Sequence, residues 1–459
     1  MEINSVFFNL LVKYQTVSIF TFMPYKIILF LFCFYLPYLS IAQDTIKQVY
    51  SLEQIFDLTL KNNQSLKISS NALGIAKQQV EVTKLQRLPN ASASLTGGYL
   101  GDALLIEKDF SKATKVPMPH FANTFALQAS QLIFKGNTVN NAIANASLQE
   151  QIAALDLEES KLGIKLLVAG NYFDLYKLYN QREVYEQNIA LAELRLRQIE
   201  KFYEKGMVTR NDVIRSELQI SDLKLAVISI NNNINVINKQ LTIATGLPEN
   251  TFILPDTTVL TQRPTVSSLA QYQEIARKNY PAIQSADLQV EIADKNLAIT
   301  KADRLPTLSA YAGNNLQRPI TSSSPAVDKY SNGWQVGLTL SYNIASLYDA
   351  PRNIKLDKLR KNQAKEQAIL ARQDKEIKVN ATYTAHQEAL VRVHTLAQNM
   401  RLANENYRII EKKYLNQLAL LIDMLDASNA KLDAELQHTN AAINVLYTHY
   451  QLLTELGTI

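Results

Sequence analysis

Cysteine is almost missing from this chain. The single Cys33 falls in an N-terminal segment that reads as a removable signal, so the mature protein is expected to hold no disulfide and no thiol chemistry. Glycine and proline are scarce, at 13 each, while Ala, Leu, Gln, Asn and Ile are plentiful, which favours long helices over turns. No basic block exists. A formal net charge of +5 is spread over 459 residues, which gives no case for nucleic acid. No glycine loop of the phosphate-binding kind is present, so this chain is not expected to use ATP. The five histidines, His120, His386, His394, His438 and His449, lack the i, i+4 pairing with a nearby acid that a zinc site shows. His386 and His394 read as solvated helix positions. Without a nucleophile–base constellation, neither an enzyme nor a cofactor is expected.

What is present begins with the signal. Lys26 precedes an apolar run over 27–36, and Ser40-Ile41-Ala42 supplies small residues before an expected cleavage at Gln43. Residues 1–42 therefore read as a signal peptide, with 1–22 taken as a misassigned start upstream of Met23. A single N-terminal membrane anchor is the alternative, and Pro37 argues against it. Phe32 rather than a small residue stands before Cys33, so no lipid anchor is expected.

The rest of the chain is written nearly twice. Ser51, Leu52 and Gln54 match Ser268, Leu269 and Gln271; Lys61-Asn62 matches Lys278-Asn279; Arg87-Leu88-Pro89 matches Arg304-Leu305-Pro306. Further on, Tyr172 matches Tyr383, Asn188 matches Asn399, Tyr203 matches Tyr414 and Asp212 matches Asp423. A repeat this long is a duplicated half-protein rather than a solenoid unit. The two repeats are placed at 50–250 and 266–459.

Prolines map the long helices. None lies between Pro119 and Pro248, and none follows Pro351. Helices are expected over 136–205 and 352–416, each roughly 100 Å long at 1.5 Å per residue. Behind them run seams in three-four spacing: Ile220, Leu223, Val227, Ile230, Ile234, Ile237, Leu241 and Ala244, then Leu425, Asn429, Leu432, Leu436, Thr439, Ile443, Leu446, Tyr450 and Leu453. Such seams mean helices packed along their length. A soluble helical bundle satisfies them equally well.

Between the helices the period changes to two. Trp334, Val336, Leu338, Leu340, Tyr342 and Ile344 alternate with Gln335, Gly337, Thr339, Ser341 and Asn343 over an expected strand at 332–344. Further strands are expected at 307–316, 90–100 and 123–134, with exposed loops at 101–122 and 316–331. The length suits a membrane crossing, with Trp334 and Tyr342 as girdle aromatics. Four strands cannot close a barrel, so either several chains pool them or they form a soluble sheet.

This duplicated helix–strand–strand–helix plan resembles the TolC-like outer-membrane efflux protein family over nearly the whole mature chain. The tip hairpins near 203–214 and 414–426 carry the likeness. Tyr203, Gly206 and Asp212 fit the family pattern; Tyr414 and Asp423 repeat it, but Gln417 replaces the glycine. The resemblance implies a mainly α fold with a small transmembrane β part: a trimeric 12-stranded β-barrel continued by a 12-helix coiled-coil periplasmic tunnel. It implies a homotrimer in the outer membrane of a Gram-negative bacterium, in contact with its lipid. It also implies a periplasmic adaptor and an inner-membrane RND or ABC pump as partners. Asp423 and Asp426 would form the pore constriction, and Tyr203, Gly206, Asp212, Tyr414 and Gln417 would serve gating or docking. Ala419 stands where family members commonly have a basic latch residue. The implied function is the exit duct for small molecules such as drugs. The rivals are the outer-membrane component of type I protein secretion and an exported coiled coil with no pore.

Overall fold

The computed structural model describes residues 46–256, 267–323 and 326–459, so the expected signal, Cys33 included, lies outside the described residues. The fold is mainly helical. In the first copy, β1 (Ile46–Tyr50), α1 (Leu52–Asn62) and α2 (Gln64–Lys84) lead to β2 (Asn90–Tyr99). A small hairpin, β3 (Ala103–Ile106) and β4 (Ala113–Val116), precedes β5 (Phe121–Phe134). Then come α3 (Thr138–Glu204), α4 (Arg210–Thr245) and β6 (Thr251–Pro255). The second copy runs α5 (Leu269–Asn279), α6 (Pro281–Ala302), β7 (Thr307–Arg318), β8 (Ser331–Ser341), α7 (Ser346–Leu415) and α8 (Leu421–Leu456).

The matching residues at the head of each copy are helix-starting devices. Ser51 and Ser268 are the N-caps of α1 and α5. Each accepts from the backbone N–H of Gln54 or Gln271, whose side chain reaches back to the cap. The repeated Lys-Asn closes the same helices, and Asn62 Nδ2 donates to the Thr245 carbonyl at 2.7 Å, tying α1 to the end of α4.

Every level of the molecule is a strip of four elements. The sheet order is β2-β5-β7-β8, antiparallel throughout, so β5 and β7 join the two copies and β2 and β8 are edges. Next to the sheet α2 packs on α3, α3 on α6 and α6 on α7. Toward the hairpins the order becomes α4, α3, α8, α7. The main core lies between these levels. There Val168, Tyr172 and Leu175 of α3 meet Leu52 and Ile55 of α1, Ile253 of β6, Leu241 of α4 and Leu446 of α8. Each such side chain, fully buried, stabilises the fold by about 1.5–3 kcal/mol.

Burial along the seams reports the strip. In α4, Ile220, Leu223, Ile230, Ile234 and Leu241 are buried, yet Leu218, Leu225, Ile228, Val236 and Ile243 are exposed on another face. Helix α8 is covered by both α3 and α7, so its burial spreads past the expected seam to Met424, Ala441, Val445 and Leu452, while Asn429 is exposed.

Three expectations need correction. Helix α7 begins at Ser346 and carries Pro351 within it, rather than starting after the proline. Its first bonds are the short kind, Ser346 N–H to Asn343 O and Leu347 N–H to Ile344 O, and Pro351 sits close enough to that start to cost little regular structure. Strand β8 ends at Ser341, which leaves Tyr342 and Ile344 just beyond it. The segment 101–122 is not a plain loop: β3 and β4 pair within it, and Lys115 meets Asp102 at 2.9 Å.

Candidate channel wall and helical tip

The register sorts the four strands into two faces. Ala93, Leu127, Ala312 and Val336 fall on one side of the sheet with Leu95, Phe125, Leu338 and Leu340. Ser92, Gln128, Gly313 and Gln335 fall on the other. Leu95, Trp334, Val336, Leu338 and Leu340 are all exposed, so the apolar face has no cover among the described residues. A bulge at Leu132–Phe134 is the one break in the β5–β7 register.

Aromatic side chains mark both ends of the sheet. At the loop end Tyr99 is paired with Phe121 and stacks on His120 at 5.0 Å; Trp334, the fourth residue of β8, lies further in, opposite Asn314 and in register with Leu127 and Ala93. At the helix end stand Phe134, Tyr342 and Tyr348. All six rings of the two sets, His120 aside, are exposed. Sequence reading singled out Trp334 and Tyr342 alone. The pairing of Tyr99 with Phe121 became visible only from the register.

The two tip hairpins share one geometry. After α3, Gly206 takes φ +71°, and Met207 N–H returns to Phe202 O at 2.9 Å. After α7, Gln417 takes φ +62°, and Leu418 N–H returns to Lys413 O at 2.8 Å. Both are helix ends closed by a left-handed residue. Thr209 then caps α4: its N–H and hydroxyl both donate to Asp212, each at 2.8 Å. In the second hairpin Leu420 N–H donates to Asp423 at 2.9 Å, so this carboxylate stabilises the start of α8. Asp426 is exposed one turn on, as is Asp423.

The paired tyrosines part company. Tyr203 is exposed, whereas Tyr414 is buried among Ile199, Val213, Leu421, Met424 and Leu425, with Ala419 packed against the same cluster. The Tyr414 hydroxyl has no hydrogen-bond partner among the described residues. Burial raises its pKa, and the negative charge of Asp212 adds to that.

A buried cation that sequence reading missed lies behind the tip. Arg195 of α3, 5% exposed, donates to Tyr407 Oη at 2.9 Å, to Ser428 Oγ at 3.3 Å and to Gln219 Oε1 at 3.4 Å. Tyr407 passes its own proton to Glu411 at 2.8 Å, and Lys431 sits 5.0 Å from its ring centre. Four helices, α3, α4, α7 and α8, meet on one guanidinium. Among the described residues its charge reaches a carboxylate only through the tyrosine.

His386 also departs from expectation. It is fully buried rather than solvated. Thr448 Oγ1 gives its one proton to Val445 O, so it must accept from His386 Nδ1–H at 3.0 Å, which leaves Nε2 unpartnered. The His449 ring is 5.6 Å away. Burial lowers the pKa of both imidazoles. His394 is exposed.

Comparison with known proteins agrees with this architecture. A profile of the family described as "Outer membrane efflux protein" matches residues 273–458. The outer membrane protein TolC of Vibrio cholerae is 19% identical over 425 residues, covering 89% of this chain and 91% of that protein. The outer membrane efflux protein BepC of Brucella suis is 21% identical over 402 residues, covering 86% and 83%. Among solved structures, CusC superposes with a TM-score of 0.75 at 15% identity, over 89% of this chain and 92% of that one. The Campylobacter jejuni CmeC outer membrane channel gives 0.71 at 16%, over 89% and 85%. The family profile thus matches the second copy directly, and the fold shared with these channels runs through both copies.

Proposed function

We propose that three copies of this chain form the outer-membrane exit duct of a tripartite export system. The observation that carries the proposal is the open strip. Strands β2 and β8 are unpaired edges of a sheet whose apolar face is bare. In lipid each unsatisfied backbone group costs several kcal/mol, so such a sheet must close on copies of itself. Three copies give twelve strands, an even and closed number. The helical edges agree, since α4 leaves an apolar face uncovered. Helix α3, with 67 residues, would carry the tunnel roughly 100 Å into the periplasm.

In this reading the apolar face meets lipid in the outer membrane of a Gram-negative cell, and the protein has no lipid anchor. Small molecules such as drugs or toxic compounds pass from an inner-membrane RND or ABC pump, through a periplasmic adaptor, to the exterior. Asp423 and Asp426, tripled around the axis, form the cation-attracting constriction at the periplasmic mouth. The hairpins framed by Tyr203, Gly206 and Asp212, and by Tyr414 and Gln417, gate that mouth and dock the adaptor. Exposed Met207, Leu418 and Leu420 supply its apolar contact surface.

The test is fractionation with capture from cells crosslinked before lysis. A heat-modifiable trimer in the outer-membrane fraction, bound to an adaptor and an RND pump, is the expected result. An ABC pump with protein cargo would move the assignment to type I secretion. A soluble monomer would overturn it.

A further inference from the structure

We infer that the polar face of the sheet is an uncharged lining that passes solutes of either sign, so that selection by charge is left to the helical part of the duct. The inference rests on the channel reading and deepens it by naming the class of solute that the barrel admits.

Twenty-three strand positions fall on the polar face, from Asn90 of β2 to Ser341 of β8, and none is Asp, Glu, Lys, Arg or His. At the chain's overall charged fraction of 19%, about four would be expected. The absence is not compositional, because the helices are densely charged. It is not a requirement of lipid either, since this face turns away from the apolar side. Ser92, Thr124, Gln128, Asn315, Gln335 and Thr339 offer hydrogen-bond donors and acceptors in place of a field. Only one charged residue occurs in the four strands. It is Arg318, which lies on the other face at the loop end and is matched by Asp328 at 2.7 and 3.0 Å.

The bore is also kept low in relief. Gly313, Gly333 and Gly337 are on this face. Tyr311, its one aromatic ring, lies across Gly337, where a Cβ would come within 2.6 Å of the phenol oxygen. The ring therefore lies flat as an apolar plate rather than projecting into the path. An uncharged hydrogen-bonding wall with such a plate suits amphiphilic small molecules, cationic, anionic or neutral alike. A single carboxylate on this face would be tripled by symmetry, so its absence bears directly on selectivity.

The test uses the full chain in a Cys33→Ser background, reconstituted as single channels in planar bilayers. Gln335→Cys and Gln128→Cys each receive a cationic or an anionic methanethiosulfonate reagent of similar size from the barrel side. Both reagents should modify these thiols in the rate ratio they show with a free thiol, within about twofold, and each should change the current. Val336→Cys should not react. A bias beyond about fivefold for one sign, in channels that conduct normally, would overturn the inference alone. Reaction at Val336→Cys with none at Gln335→Cys, or modification without effect on current, would overturn the lumen assignment and the inference with it.

Discussion

Gly206 and Gln417 occupy the same left-handed backbone position, 211 residues apart, at φ +71° and +62°. The second copy of the tip thus keeps the turn of the first while bearing a side chain that disfavours it, at a cost of about 1–2 kcal/mol. Gln417→Gly is expected to stabilise that hairpin by about 1 kcal/mol, and Gly206→Ala to destabilise the other by a similar amount. Nothing lies within 4 Å of a Cβ built at Gly206, so the second effect is one of backbone alone. Hydrogen exchange at the Met207 and Leu418 amides, which close the two turns, measures both.

Arg195 gives a second expectation. Tyr407→Phe removes its shortest hydrogen bond and the path to Glu411, and should cost about 2 kcal/mol. With Arg195→Met already present, no charge needs that path, and the same change should cost less than about 1 kcal/mol. Thermal unfolding of the four proteins in detergent closes the cycle. Equal losses in the two backgrounds would show that the Tyr407 hydroxyl stabilises the tip independently of Arg195.

The buried histidine sets a pH dependence. His386 has a pKa below its ordinary 6.5 because burial disfavours its charged form. The unfolded chain therefore binds a proton that the folded chain refuses, and stability rises with pH through this window. Stability should be full above about pH 6.5 and fall as the pH drops toward the lowered folded value. The loss reaches up to about 1 kcal/mol at pH 5.5. His386→Leu should flatten this slope in Tm measured between pH 7.5 and 5.5, leaving the contribution of His449. An unchanged slope would assign the dependence to other groups.

For the constriction, the double variant Asp423→Asn with Asp426→Asn should lower cation preference several-fold in reversal-potential measurements. An asparagine oxygen can still accept from Leu420 N–H, so the start of α8 is kept. Unaltered selectivity in folded, conducting trimers would remove both carboxylates from the pore.

How much of this was legible in the sequence follows from distance along the chain. The Ser-x-x-Gln pairs are readable because a capping box is satisfied within four residues, and β8 because its alternation is local. The tip turns were readable apart from Gln417, whose left-handed turn the spacing implied and its side chain obscured. Arg195 and His386 were not readable. Their burial is imposed by Ser428 and Thr448, 233 and 62 residues away, through helices whose relative rotation no local pattern fixes. The start of α7 is hidden by Pro351, which reads as a stop; in the second turn of the helix it forfeits one bond, to the Leu347 carbonyl, and the helix continues through it.

The pairing of β5 with β7 has a consequence for how such a ring is built. Since the halves are copies, the β5–β7 joint inside one chain and the joint proposed between β8 and a neighbour's β2 repeat one design. Covalent continuity holds the first at any dilution. The second depends on protomer concentration and on the membrane. In a ring of six near-equal seams, three are permanent and three are reversible, so the molecule's route of assembly, and its route of failure, runs along alternate seams.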